Sequence, residues 1–76
     1  MTLHDKVVAE EAIGSATYLI AKAKCEINRA WAIMIKSEDY SHQSDFSKIY
    51  SNLKDALDDI VKLEIQFRDE KNDLDT

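Results

Sequence analysis

Two carboxylates and a histidine near the middle of the chain are spaced like metal ligands. Asp39 and His42 lie three residues apart, and Glu38 and His42 lie four apart. On a helix, either spacing would offer two ligands to a divalent metal, as in the Glu-x-x-His pairs of helical di-iron bundles. These residues fall in a predicted loop, however, and the predicted helix faces offer no further inward carboxylates. The favoured interpretation is a solvated loop, with no metal and no cofactor.

The single cysteine, Cys25, is a candidate nucleophile. A reactive thiol needs a base or a positive site nearby. Lys22 and Arg29 lie about one helical turn to either side of Cys25, but no histidine does. We therefore expect Cys25 to be a buried or interfacial small residue. Since no other catalytic motif is found, the sequence predicts a protein that is not an enzyme.

Three aspartates in the second half of the chain resemble a paired-carboxylate site. Asp55, Asp58 and Asp59 lie close to Lys54 and Lys62, and all five fall off the apolar face of the predicted helix. This mixture of charges favours a solvated helix face. The functional alternative is an acidic docking surface for a basic partner.

Basic residues and a tryptophan concentrate in the second half of the first predicted helix. Against Glu26 alone, four Lys/Arg residues give positions 20–36 a net charge of +3. A small anion or a nucleotide would use Lys22, Lys24 and Arg29, beside Trp31. The favoured interpretation is helix solubility, with Trp31 closing the end of a bundle. A small-ligand binding protein is the alternative function.

Composition narrows the class of protein. The 76 residues allow one small domain, and one glycine with no proline favours long helices over a turn-rich β fold. No apolar run approaches the roughly 20 residues that span a membrane, and no signal peptide is found, so we expect a cytoplasmic protein. Residues 38–76 carry five Lys/Arg against eleven Asp/Glu. That excess of acid argues against nucleic-acid binding.

The element that must position most of these residues is a predicted helix over residues 3–36. Thr2 and Asp5 form a plausible capping box at its start. The apolar pattern passes through Gly14 without a change of phase, which predicts one continuous helix; the alternative is a short first helix ending at Ile13. Along one side run eight residues, the α1 seam: Ala9, Ile13, Ala16, Ile20, Ala23, Ile27, Ala30 and Met34. Its four alanines favour close approach of another helix.

A second helix is predicted over residues 45–71, after a loop at 37–44 and before a frayed tail at 72–76. Ser44 or Asp45 is expected to cap it. Its predicted packing face, widened by Tyr50 and Leu57, consists of Phe46, Ile49, Leu53, Ala56, Ile60, Leu63 and Phe67. Two long helices with a short connection predict an all-α antiparallel hairpin that forms a single domain.

The apolar surface of the first helix is too broad for one partner helix to cover. Beside the α1 seam lie Val8, Ala12, Leu19 and Ile33, and another side carries Val7, Gly14, Tyr18, Ala21, Cys25, Ala32 and Ile35. This pattern predicts a homodimer that forms a four-helix bundle. In architecture alone, the chain resembles small plasmid-type dimeric helical hairpins that bind RNA, a role that the acidic second half does not favour.

The loop end of the hairpin is the predicted functional surface. Residues 30–35 are apolar all the way round the helix, which favours contact with another protein. The residues expected to bind a partner are Trp31, Ile35, Glu38, Asp39, Tyr40 and Asp45. We therefore expect a small acidic protein that acts by binding another protein, as an adaptor, an immunity-type antagonist or an inhibitor.

Overall fold

The computed structural model describes the backbone of residues 2–75 and the side chains of residues 2–70. Two helices make up the fold: α1 spans Leu3–Lys36 and α2 spans Gln43–Asp75. They pack side by side as an antiparallel hairpin within an envelope of 57 × 15 × 15 Å. No strand occurs within residues 2–75, which confirms the all-α prediction. In that same range, neither helix has a stretch apolar enough to cross a membrane.

Helix α1 begins and ends where the sequence predicts. Thr2 has an extended backbone and its hydroxyl oxygen accepts a hydrogen bond from the Asp5 N–H at 3.1 Å. This contact satisfies one of the free N–H groups of the first turn. The helix continues through Gly14, so the alternative of a short first helix is wrong.

Replacing Gly14 with alanine should raise the free energy of unfolding by about 1 kcal/mol, because glycine is the poorer helix former. A methyl group built at this position meets no atom within 4 Å beyond its chain neighbours and the nearby backbone of its own helix, so alanine fits without a clash. Urea denaturation of the two chains measures the difference. A loss of stability in the variant would mean that another helix packs directly against Gly14.

The α1 seam faces α2, as predicted. All eight of its residues are half-buried, and they alternate between alanine and a larger side chain along the contact. The larger residues fill the space between the helices, and the alanines, which keep part of their surface exposed, lie along one edge of the contact. The repeat of seven therefore identified the buried side of α1 correctly.

The packing face of α2 differs in part from the prediction. Its half-buried residues are Phe46, Tyr50, Leu53, Ala56, Leu57, Ile60, Glu64 and Phe67. Ile49 and Leu63, predicted to lie in the packing face, are instead exposed. Ala56 is half-buried as predicted, and so are Tyr50 and Leu57, which widen the packing face. Glu64, which was not predicted to pack, is half-buried while its neighbour Leu63 is exposed, so the contact lies toward the side of α2 that carries Tyr50, Leu57 and Glu64.

A carboxylate at the centre of the helix contact accounts for part of this shift. The Thr17 hydroxyl lies within hydrogen-bond distance of the Glu64 carboxylate and donates at 2.9 Å to the Ile13 carbonyl oxygen. Near the open end, Lys6 pairs with Glu70 and lies 5.5 Å from the ring centre of Phe67. These polar contacts fix the alignment of the two helices while leaving α2 rotated toward Glu64.

The connection between the helices is shorter than predicted. Helix α2 begins at Gln43, and the Phe46 N–H already donates to the His42 carbonyl at 3.0 Å. Asp45 thus lies inside the first turn and Ser44 is helical, so neither caps the helix. The acidic side chain of Asp45 still suits the positive end of the helix. At its other end, α2 runs to Asp75, so the predicted end of the helix at residue 71 is wrong and the predicted tail is helical over residues 72–75.

Candidate functional site

The end of α1 is closed by backbone hydrogen bonds that set the shape of the loop. The Glu38 N–H donates to the Ile35 carbonyl at 2.9 Å, and the Asp39 N–H donates to the Met34 carbonyl at 3.0 Å. This pair of bonds is the Schellman arrangement, which requires a left-handed residue just after the helix. Glu38 takes that conformation with φ of 58°. The tight turn leaves the loop short and well defined between the two helices.

Asp39 holds the next part of the loop. Its carboxylate accepts hydrogen bonds from the Ser41 hydroxyl at 2.6 Å and from the Ser41 N–H at 3.0 Å. The hydroxyl bond is the main reason why the pKa of Asp39 lies below its usual value, and the backbone bond and the charge of His42 act in the same direction. Any stability that this turn gains from the carboxylate is therefore present above its ordinary pKa and lost as the pH falls toward the lowered one.

His42 lies beside Asp45 rather than in a set of metal ligands. Its Nδ1 atom is 3.3 Å from a carboxylate oxygen of Asp45, and both side chains are mostly exposed. No group of three His, Cys, Asp or Glu side chains within the described part of the chain is arranged to hold a metal ion. The spacing of Glu38, Asp39 and His42 does not produce a ligand cluster, because all three lie in a turn and not along one helix face.

Trp31 lies between the helices rather than on the surface of the loop end. Its ring stacks on Phe46 with 6.3 Å between centroids and an 8° angle between planes, and its edge meets Tyr50 at the same distance. The indole N–H is buried and has no hydrogen-bond partner among the described residues. Trp31 therefore supports the loop end from inside the hairpin, as in the interpretation that it closes the bundle.

The other five residues of the predicted partner-binding surface are exposed. Tyr40 and Ile35 present apolar area beside the three acids, Glu38, Asp39 and Asp45. Their predicted contact with a partner stays a prediction. The structure thus separates an exposed loop surface from the aromatic cluster beneath it.

An open apolar groove lies beside this loop, and sequence analysis missed it. Met34, His42, Asp45, Phe46 and Ile49 line a space of about 340 Å³. The sequence contained part of the evidence for this groove, since Ile49 is the first of three apolar residues at intervals of seven along α2. Because the sequence analysis assigned Ile49 to the packing face, it did not predict that Ile49 is exposed to solvent.

The residues of the predicted anion site do not come together. Lys24 lies over the Tyr50 ring, 5.6 Å from its centre, and borders a small space of about 210 Å³ with Cys25 and Asn28. Lys22 precedes Lys24 by two residues, so it projects from nearly the opposite side of α1. Arg29 lies on the side of Lys22 and pairs with Glu26 at 3.7 Å. The three cations therefore cannot hold one small ligand within a single hairpin.

Two further candidates lie on the surface. Cys25 is exposed in the hairpin, so the expectation that it is buried is wrong, and an interfacial position stays a prediction. Asp55, Asp58 and Asp59 are all exposed, in agreement with a solvated helix face.

Comparison with known proteins adds no family to these observations. The chain has no significant match to a protein-family model, to a curated protein or to a solved structure.

Proposed function

We propose that this chain acts by binding protein: it pairs with a second copy of itself, and its loop end binds a further protein partner as an adaptor, antagonist or inhibitor. The observation that supports this proposal is the absence of a buried hydrophobic core among residues 2–70. None of residues 2–70 is buried, although both helices carry continuous apolar faces. A hairpin of this kind buries its apolar surface only when another protein covers it.

The surface area supports the same proposal. The chain exposes 5690 Å². A compact monomer of 8.7 kDa would expose roughly 4,700 Å². The excess, on the order of 1,000 Å², is similar to the roughly 800 Å² that each partner contributes to a standard protein interface.

The loop end has the composition of a contact surface. Tyr40 and Ile35 offer exposed apolar area, and Glu38, Asp39 and Asp45 surround it with negative charge. Apolar side chains supply affinity when they are buried, and charges at the edge guide the approach of an oppositely charged partner. The chemistry of this end therefore suits a partner with a basic rim around an apolar contact.

Replacing Tyr40 with alanine should abolish capture of the partner from an extract of the native host while leaving the melting temperature unchanged. An exposed tyrosine of a binding site costs about 2 kcal/mol or more when it is truncated, which weakens binding at least 30-fold. The matched control is Tyr18→Ala, since Tyr18 is 65% exposed, Tyr40 is 56% exposed, and Tyr18 lies on α1 away from the loop. Quantitative mass spectrometry of the captured proteins compares the three chains.

A second variant tests the role of charge in the same assay. Asp39→Asn keeps an oxygen that can accept the Ser41 hydrogen bonds but removes the negative charge, so the turn is preserved. We expect weaker capture and a smaller dependence of binding on salt. Equal losses of capture with Tyr18→Ala and Tyr40→Ala would contradict the assignment of the site to the loop end.

A further inference from the structure

We propose that the second copy packs on the side of the hairpin where the seam alanines lie, with α1 of each copy on α2 of the other and both loops at the same end. This inference rests on the proposed function, because it specifies the interface and the arrangement of the homodimer.

Within the hairpin, the side chain of Tyr50 covers one side of the contact between α1 and α2. Lys24 and Trp31, each three residues before a large residue of the α1 seam, both contact Tyr50. The seam alanines lie four residues before the same large residues, which turns them by roughly 100° away from Lys24 and Trp31. The alanine side is therefore opposite the side that Tyr50 closes.

Large apolar residues border the alanine side on both helices. Leu19 and Ile33 on α1 are 61% and 56% exposed, and Ile49 and Leu63 on α2 are 43% and 40% exposed. Each pair is fourteen residues apart, so its members share one face of their helix. Ile49 follows Phe46 by three residues whereas Tyr50 follows it by four, which places Ile49 on the alanine side.

The alanine side of the hairpin is complementary in shape to the same side of a second copy. Because alanine side chains are small, positions 16, 23 and 30 leave room between the larger residues that border them on both helices. In a symmetric dimer, the large residues of one copy fill the space above the alanines of the other. Glu26 interrupts the apolar line between Leu19 and Ile33, and its pair with Arg29 balances its charge within α1.

Charge decides between the two ways of stacking the copies. The outer edge of α1 on this side carries Lys22, Arg29 and Lys36 at intervals of seven. The outer edge of α2 carries four aspartates and two lysines, a net charge of −2: Asp45, Lys48, Asp55, Asp59, Lys62 and Asp69. With the loops at opposite ends, α1 would lie on α1 and basic edges would meet. With the loops at the same end, α1 lies on α2 of the other copy and each basic edge meets an edge of net negative charge.

The heights of these charges along the bundle agree with that arrangement. Trp31 lies level with Phe46, so Arg29 of one copy lies near the height of Asp45 of the other. The contacts Thr17–Glu64 and Lys24–Tyr50 bracket the height of Asp59, which falls within about one helical turn of Lys22. A twofold axis along the bundle involves no sliding of one copy past the other, so these heights are kept in the dimer.

The arrangement is tested by a distance between the two loops. A chain with Cys25→Ser and Gln43→Cys carries one nitroxide label at the exposed start of α2, and double electron–electron resonance measures the separation of the two labels in the dimer. We expect a distance below about 30 Å, because packed helices lie about 8–10 Å apart. A distance near the 57 Å length of the hairpin would overturn the arrangement while leaving the homodimer in place. No dipolar signal at micromolar concentration would overturn the homodimer itself, and the loop-end assay would still test the partner site separately.

A charge exchange tests the proposed pairing of the edges. Lys22→Glu should raise the dissociation constant of the dimer by roughly 5- to 30-fold, because the symmetric dimer contains two such surface pairs. Adding Asp59→Lys to the same chain should restore the wild-type value, since each copy then supplies both exchanged charges. A double variant that dimerises no better than Lys22→Glu would overturn the proposed contact between α1 and α2 of the two copies.

Discussion

Replacing Trp31 with alanine should lower the free energy of unfolding by about 3–5 kcal/mol, the cost of removing a large ring from a packed site. The ring stacks on Phe46 and meets the edge of Tyr50, so its loss removes contacts from both helices at once. A small domain has only about 5–15 kcal/mol of stability in total. We therefore expect the variant to be largely or partly unfolded at 37 °C in a thermal melt followed by circular dichroism.

The matched control keeps an aromatic ring at the same place. Trp31→Phe should cost less than about 1.5 kcal/mol, because it retains the stacking on Phe46 and removes the buried N–H that has no partner among the described residues. If Trp31→Ala left stability unchanged but abolished partner capture, the ring would be a contact residue of the loop end and not a support beneath it.

Changing Ile33 to glutamate should convert the dimer into monomers at micromolar concentration. Ile33 lies at the proposed interface, and each substitution acts twice because the dimer is symmetric. Burying an unpaired charge costs several kcal/mol, which corresponds to a rise of more than 100-fold in the dissociation constant. Dilution followed by light scattering or sedimentation velocity measures the change.

The control for Ile33→Glu is the same substitution on the opposite side of the hairpin. Ile65 is 48% exposed, close to the exposure of Ile33, but it lies on the face of α2 that points away from the alanine side. Ile65→Glu should leave the dissociation constant within about threefold of the wild-type value, because an exposed surface substitution changes little. If Ile65→Glu dissociated the dimer and Ile33→Glu did not, the interface would lie on the other side.

The fold was predictable because its main signal repeats. Four alanines and four large residues at intervals of seven define one side of a helix, and the structure confirms that side for all eight positions. The bounds of α1 followed from Thr2 at the start and from the loss of the apolar pattern after Lys36. Such signals are local, so they do not depend on knowing the partner helix.

The rotation of α2 was not predictable in the same way. Phe46 and Ile60 fit a contact through Ile49 as well as a contact through Tyr50. Positions 49 and 50 both carry large side chains that could pack against α1. The choice depends on tertiary contacts, namely Trp31 against Tyr50 and Thr17 against Glu64. A carboxylate such as Glu64 within a helix contact contradicts the usual apolar pattern, which is why the sequence alone placed Leu63 there.

The candidate site was predictable only in outline. The acidic and aromatic composition of the loop end followed from the sequence, but the inward position of Trp31 depended on its neighbours in α2. The separation of Lys22 from Lys24, by contrast, follows from helical geometry alone, since two residues turn a helix by about 200°. The argument against a single anion site on this stretch was therefore available from the predicted helix itself.

Sedimentation equilibrium of the unmodified chain tests most directly whether the hairpin is half of a larger protein unit. At micromolar concentration, we expect a mass near twice 8.7 kDa, about 17 kDa, and a melting temperature that rises with protein concentration. A mass of 8.7 kDa at every accessible concentration, together with one sharp unfolding transition that does not depend on concentration, would contradict it.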